Sequence, residues 1–167
     1  MKNFLTFGLL LVLNFSFGQE NPYDSWNKNY LEVDYEEIVN DEIQYADSVE
    51  KDSTAVQFFS RLKKYRFEAQ YTGNWREIDQ RRIEVMKMVF KMRAGNVPEI
   101  FDSIEKEAEM KMENGTIWMP IQPNLEKPFK KEIKKNRHVY IYALFFNMHN
   151  MSGELYNLFL ISEFIAE

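Results

Sequence analysis

Apolar side chains divide the chain into a short apolar leader, a polar lead-in, a set of helix-like segments and an aromatic C-terminal part. Between residues 35 and 114 they recur mainly at intervals of three and four, the spacing that places side chains on one face of an α-helix. Beyond Gly115 they become consecutive or alternate, which is typical of strands. The pattern therefore predicts helices before Gly115 and strands after it.

Four helices are predicted, and each of the last three ends at a pair of glycine and asparagine. A first helix over Tyr35 to Val49 has a broken apolar stripe, and a second is predicted from about Ser53 to Tyr71. Two more follow, bounded by Gly73-Asn74, Gly95-Asn96 and Asn114-Gly115. Glycine accepts the backbone conformation that ends a helix, and asparagine caps the next one. Short loops of this kind predict an antiparallel helical layer.

The C-terminal part is predicted to form a small sheet. A short strand over Ile117 to Ile121 contains Pro120, which lacks an amide donor and so favours a sheet edge. A short basic helix is predicted from Asn124 to Asn136. Val139 to Phe146 and Leu155 to Ile161 are rich in β-branched and aromatic residues and predict a hairpin. Helical spacing within the last segment leaves a helix there as the alternative.

These elements together predict an α+β fold. Its antiparallel layer of three to four helices is followed by a small, mainly antiparallel C-terminal β-sheet, with one short intervening helix. Residues 19–34 are an extended lead-in in this interpretation, and 35–167 form a single domain. The strand over Val139 to Phe146 is apolar on both faces, so both faces need cover. The helices cover one face, and the basic helix, the lead-in or a second copy of the protein covers the other.

The first residues have the pattern of a secretory signal peptide. Lys2 precedes an apolar run from Phe4 to Phe17, and the small residues Ser16 and Gly18 favour cleavage after Gly18. The apolar run is shorter than the roughly 20 residues that cross a bilayer. The ending Phe-Gly-Gln resembles the leaders of exported Gram-negative bacterial proteins. Residues 1–18 are thus predicted to be removed from a soluble periplasmic or extracellular protein.

Composition narrows the classes of protein that remain. The full chain of 167 residues has a net charge of -5, which argues against nucleic acid as a partner. It has no cysteine, so an exported form is stabilised by packing without disulfides. Fourteen Phe, nine Tyr and three Trp supply the large buried areas of a globular domain.

No motif points to catalysis or to a cofactor. His138 and His149 are the two histidines, and neither has the context of a triad or a closed zinc site. Acids between Glu32 and Asp52 lack the glycine and spacing of a calcium loop, which favours a solvated helix face. Trp118 with Tyr140 or Tyr142 could form a sugar platform, although a core role is favoured. We therefore predict no catalytic, metal or cofactor residues.

The strongest charge feature after the acidic segment is a basic run. We name it the basic patch, and its members are Lys127, Lys130, Lys131, Lys134, Lys135 and Arg137. A solvated face is the favoured interpretation. The alternatives are a surface that binds an anionic partner, such as lipid headgroups without a membrane anchor, or ion pairing with the acidic segment inside one molecule.

The function predicted from these features is a non-enzymatic exported binding module. Two-sided apolar strands predict a protein partner or a homodimer formed through the C-terminal sheet. A small exported hydrolase that uses paired carboxylates is the alternative, and it requires two acids in one cleft.

Overall fold

The computed structural model describes residues 22–52, 54–55 and 57–166. Its elements in chain order are α1 Pro22–Asn29, β1 Leu31–Glu32, α2 Tyr35–Lys51, β2 Phe59–Glu77, α3 Gln80–Ala94, a 3-10 turn Glu99–Ser103, β3 Lys106–Met112, β4 Gly115–Pro120, α4 Pro123–Glu132, β5 His138–His149 and β6 Leu155–Ala166.

One six-stranded sheet organises the described chain. Its order is β4-β3-β2-β5-β6, with antiparallel neighbours, and the two-residue β1 pairs with β2 in parallel. The 19-residue β2 is central because its first part pairs with β5 and its last part with β3. The helices are inserted between strands along the chain, so this is a sheet-rich α+β fold.

A β-bulge interrupts the pairing of β2 with β3. The register between β2 and β3 shifts between Tyr71 and Trp75, and Gly73 lies there with a φ of 93°. A side chain at this φ is strained, so glycine suits the bulge. A Cβ on Gly73 would also come within 3.0 Å of the Lys135 side chain. The bulge lies just beyond the part of β2 that pairs with β5, within the part that pairs with β3.

Each face of the sheet carries its own apolar cluster. We call the face that bears Phe67, Phe145 and Phe159 the inner face; it packs against residues from α2 and α4. The face that bears Phe146 and Leu160 is the outer face, and α3 covers it. Both faces of the sheet are therefore covered, as predicted, and the chain's own helices α2, α3 and α4 contribute to this cover.

The sheet curls so that its two edge strands approach each other. Ile121, just after β4, forms a parallel bridge with Ile161 of β6, and Gln122 N–H donates to the Ile161 carbonyl at 3.1 Å. We call this junction of β4 and β6 the seam. Tyr35, Ile38 and Val39 of α2 pack against the cluster on the inner face of this curled sheet.

The predicted fold class is wrong in its arrangement. There is no separate antiparallel helical layer followed by a C-terminal sheet, because the helices of the described residues alternate with strands. The segment predicted as a helix up to Tyr71 forms β2 from Phe59 onward. The helix predicted after Asn96 is a 3-10 turn followed by β3. Asn114-Gly115 is accordingly a hairpin turn between β3 and β4.

Several predicted elements are confirmed. Helix α2 begins at Tyr35 as predicted, and Gly95 ends α3 with a φ of 88° and an N–H that donates to the Lys91 carbonyl. Strand β4 lies at a sheet edge, and β5 and β6 form the predicted hairpin. The basic helix is shorter than predicted, and the lead-in predicted as extended is helical over Pro22–Asn29.

The predicted leader and its cleavage point lie outside the described residues. Across the described ranges, the structure has no helix with both the length and the apolar character needed to cross a bilayer.

Candidate functional site

A groove of about 760 Å³ lies where the start of the described chain crosses the outer side of the sheet. One wall is the N-terminal segment, by which we mean residues 22–32. The opposite wall is the end of α3, and the floor comes from β2 and β5. The lining residues are Asn27, Lys28, Asn29, Tyr30, Leu31, Glu32, Leu62, Lys63, Lys64, Arg66, Phe90, Ala94 and Leu144.

Arg66 of β2 fixes the N-terminal wall of this groove. Its Nε donates to the Tyr30 carbonyl at 3.1 Å and its Nη1 to Asn27 Oδ1 at 3.1 Å. Its Nη2 lies 2.7 Å from Glu32 Oε2. Charge-assisted bonds of this kind are the stronger ones in proteins. One guanidinium therefore holds α1, the turn after it and β1 against the sheet.

Aromatic side chains reinforce the same wall. Trp26 and Tyr30 pack edge-on against Tyr142, with ring centroids 5.5 and 5.4 Å away. The Tyr142 hydroxyl donates to Asn27 Oδ1 at 2.8 Å. The Tyr140 hydroxyl donates to Glu32 at 2.9 Å, and burial with this carboxylate raises the pKa of Tyr140 to about 12. The wall is thus built from interlocked rings and hydrogen bonds.

These contacts also show whether Trp118 and Tyr142 present the open ring faces that a sugar platform needs. Tyr142 is 1% exposed beneath Trp26 and Tyr30, so its ring face is not open to a sugar. Trp118 is covered by the Arg76 guanidinium, 4.4 Å from the ring centroid. The core role is confirmed for Tyr142, whereas Trp118 is partly buried and lies outside both core clusters.

The groove combines an apolar floor with unpaired cations. Leu62, Phe90 and Leu144 belong to the partly buried rim of the outer cluster. Lys28, Lys63 and Lys64 are exposed and have no carboxylate partner among the described residues. Lys64 lies 5.6 Å from the centroid of the Tyr30 ring.

The charge of this groove is opposite to that of the whole chain. Its lining has four cations, Lys28, Lys63, Lys64 and Arg66, and one acid, Glu32, which is already paired with Arg66. The full chain has a net charge of -5. A cationic groove over an apolar floor can bind an anion that carries an apolar body, since both parts find a matching surface.

The basic patch lies elsewhere. Its lysines and Arg137 are exposed on α4 and on the connection to β5, and none of them lines the groove. Lys130 pairs with Glu126 at 3.8 Å and lies 4.2 Å from the Trp75 ring centroid. Within the described residues, no ion pair joins the patch to the acids of α2, which contact Arg61 and His149 instead. The patch as a binding surface stays a prediction.

A second cavity, of about 650 Å³, lies beside the start of α2 and is lined by four acids. Three of these acids have structural partners. Asp34 caps α2, Glu36 accepts from the Asn114 N–H, and Glu68 contacts His138. Because these contacts occupy three of the four carboxylates, the geometry singles out no pair for hydrolysis.

His149 has a structural environment that the sequence did not indicate. It is 1% exposed at the end of β5, with its ring stacked on Phe59 at 5.1 Å. One ring nitrogen lies 2.8 Å from Glu50 and the other 3.1 Å from the Gln57 carbonyl. His149 therefore ties the hairpin to the end of α2.

The groove residues escaped sequence reasoning because they come from separate parts of the chain. Lys28, Lys64 and Phe90 belong to the N-terminal segment, β2 and α3, and no local motif connects them.

Among the described residues, no group of three or more His, Cys, Asp or Glu side chains could hold a metal ion. Comparison of the chain with protein-family models, curated proteins and solved structures finds no match.

Proposed function

We propose that this protein is a non-enzymatic binding module whose groove binds an amphiphilic anion, a carboxylate attached to an aliphatic or aromatic body. The observation that supports this function is the set of unpaired lysines above an apolar floor in an otherwise acidic protein. The carboxylate pairs with Lys28 and Lys64, and the body covers Leu62, Phe90 and Leu144.

Size and wall structure favour this class of ligand. Small-molecule sites are usually clefts of about 300–1,000 Å³ with a largely apolar lining and a few polar anchors. A groove of about 760 Å³ falls in this range. The contacts of Arg66 hold its N-terminal wall in place, so less ordering is needed on binding.

The test compares three probes of similar length by titration calorimetry: decanoate, decan-1-ol and decyltrimethylammonium. We expect decanoate to bind most tightly, because it alone offers both an anion and an apolar body. Lys64→Glu is expected to weaken decanoate binding by about tenfold or more, since it replaces attraction by repulsion at the head group.

Lys127→Glu is the matched control, because it makes the same charge change on the exposed basic patch. Its decanoate affinity is expected to stay within about twofold of wild type, as the net charge alone acts weakly through salt water. Equal affinity for the three probes, or equal losses in the two variants, contradicts the proposal.

Export belongs to the same proposal, since the leader pattern supports processing after Gly18. Expression of the full chain in a Gram-negative host is expected to give a periplasmic or secreted product that begins at Gln19. N-terminal sequencing and intact mass of the fractionated product measure this. A product that retains Met1 or Lys2 in the cytoplasm contradicts export while leaving the groove to its own test.

A further inference from the structure

At the seam, β4 and β6 are bridged at one position, and a cavity lies beside that bridge. Its bridge joins Ile121 to Ile161, and toward the starts of both strands a cavity of about 230 Å³ takes the place of further pairing. Polar side chains in its lining come from Tyr35, Arg76, Arg82, Thr116 and Asn157. Ile117, Trp118 and Phe159 complete the lining.

Two guanidinium groups beside this cavity share one carboxylate. Glu107 is 0% exposed, with Oε2 at 2.6 Å from Arg76 Nε and Oε1 at 2.7 Å from Arg82 Nε. Arg82 Nη2 donates to the Trp118 carbonyl at 2.9 Å, which occupies an acceptor of the β4 backbone. Within the described chain, both Arg76 Nη groups and Arg82 Nη1 have no protein acceptor.

The remaining polar groups also offer donors. Asn157 Oδ1 accepts from Asn147 Nδ2 at 2.8 Å, which leaves the Asn157 amide nitrogen as a donor. The Tyr35 hydroxyl has no hydrogen-bond partner among the residues that the structure describes. Burial raises the pKa of Tyr35 to about 12, so the hydroxyl keeps its proton.

Within the part of the chain that the structure describes, no carboxylate lines the cavity. Glu109, the nearby acid on β3, accepts on its Oε2 from Thr72 at 2.7 Å and from Asn74 at 2.8 Å, and it is not part of the lining. A small space whose lining contributes several unpaired donors and two guanidinium groups suits an acceptor-only ligand.

We propose that the seam cavity binds a compact oxyanion, a carboxylate the size of acetate or an inorganic phosphate. The anion accepts from the free Nη groups of Arg76 and Arg82 and from the donors of Tyr35 and Asn157. A volume of about 230 Å³ accommodates such an ion with a few waters, each of which occupies about 30 Å³. This site is separate from the groove and does not depend on the function proposed for it.

The test measures thermal stability in sodium acetate, sodium phosphate and sodium chloride at matched ionic strength and pH. We expect acetate or phosphate to raise the Tm above its value in chloride, because a ligand that binds the folded state stabilises it. Phosphate also raises Tm by exclusion from the protein surface, so the anion whose effect saturates with concentration identifies the class of ligand. Equal Tm values in all three salts overturn the proposal.

Asn157→Asp is the informative variant. It keeps an oxygen that accepts from Asn147 while it replaces the free amide donor by a negative charge. We expect affinity for the stabilising anion to fall at least tenfold. Asn40→Asp makes the same change on the exposed side of α2 and is expected to keep wild-type affinity. Equal anion responses in the two variants overturn the proposal.

Tyr35→Phe keeps the test decisive if Asn157→Asp does not fold. It removes one hydroxyl and keeps the ring packed on Phe67 and Phe159. We expect a loss of about threefold to tenfold in anion affinity, as for one hydrogen bond; unchanged affinity contradicts the site. Lys64→Glu is expected to keep the anion response, so failure at the groove and failure at the seam are distinguishable.

Discussion

Arg66 shows how a single side chain creates the groove. Three of its nitrogens contact Tyr30, Asn27 and Glu32, so the start of the described chain becomes a wall. The same contacts neutralise Glu32, the one acid in the groove lining. Arg66 therefore both positions the wall and leaves the neighbouring lysines as the net charge of the site.

Glu163 gives a pH-dependent prediction at the same scale. It lies partly buried near Tyr30 and has no hydrogen-bond or ion-pair partner within the described ranges. Burial raises its pKa above the ordinary value of 4.5. The folded state thus holds this proton more tightly than the unfolded state, and stability falls as pH rises from about 4.5 through the raised pKa.

Glu163→Gln removes this loss of stability at higher pH. We expect the Tm of the variant at pH 7 to exceed that of wild type by on the order of 1 °C. This difference in Tm should vanish below about pH 4, where both side chains are neutral. Thermal melts across this pH range measure it. Glu113→Gln is the control and should not change the pH profile, because Glu113 is exposed and has no partner among the residues with a described structure. A variant that loses stability at pH 7 contradicts the argument.

At the scale of elements, apolar and polar residues alternate along part of β2, and the predicted helix did not take this pattern into account. From Tyr65 to Tyr71 every second residue faces the inner cluster, and the residues between them are polar. This period of two indicates a strand. The stripe at three- and four-residue spacing that predicted a helix over the same segment mixes residues from both faces of β2.

Strand β3 could not be identified in the same way. Its sequence, Lys-Glu-Ala-Glu-Met-Lys-Met, consists of residues that favour helices on their own. Ala108 and Met110 are fully buried in the inner cluster, so pairing with β2 and β4 overrides local preference. The start of α2, the end of α3 at Gly95 and the β5–β6 hairpin could be predicted from local sequence, whereas β3 depends on distant partners.

The candidate sites are properties of the whole molecule. The basic patch is local in sequence and was therefore visible, but the groove joins α1, β2, α3 and β5, and the seam joins the two ends of the sheet. The seam forms only where the two edge strands approach each other, and the groove forms only where the N-terminal segment lies across the sheet. Sequence reasoning could predict the chemistry of each segment but not which segments become neighbours.

Glu107 is the point where several elements meet. It lies on β3, while Arg76 belongs to β2 and Arg82 to α3, and Arg82 also binds the backbone of β4. Burial disfavours the charge on Arg82 and lowers its pKa, whereas Glu107 acts in the opposite direction. The carboxylate thus holds two cations that otherwise repel each other across three elements.

Glu107→Gln is therefore expected to lower the free energy of unfolding by about 3 kcal/mol, as when one partner of a buried ion pair is removed. Urea denaturation measures this loss. Glu109→Gln is the matched control two residues along the same face of β3: its partners Thr72 and Asn74 are neutral donors that an amide oxygen can still satisfy, so a loss of about 1 kcal/mol or less is expected. Equal losses in both variants contradict the role of Glu107, because a general weakening of β3 would affect the two positions alike. A larger loss at Glu107 shows that the charge balance around this buried carboxylate joins the sheet to α3.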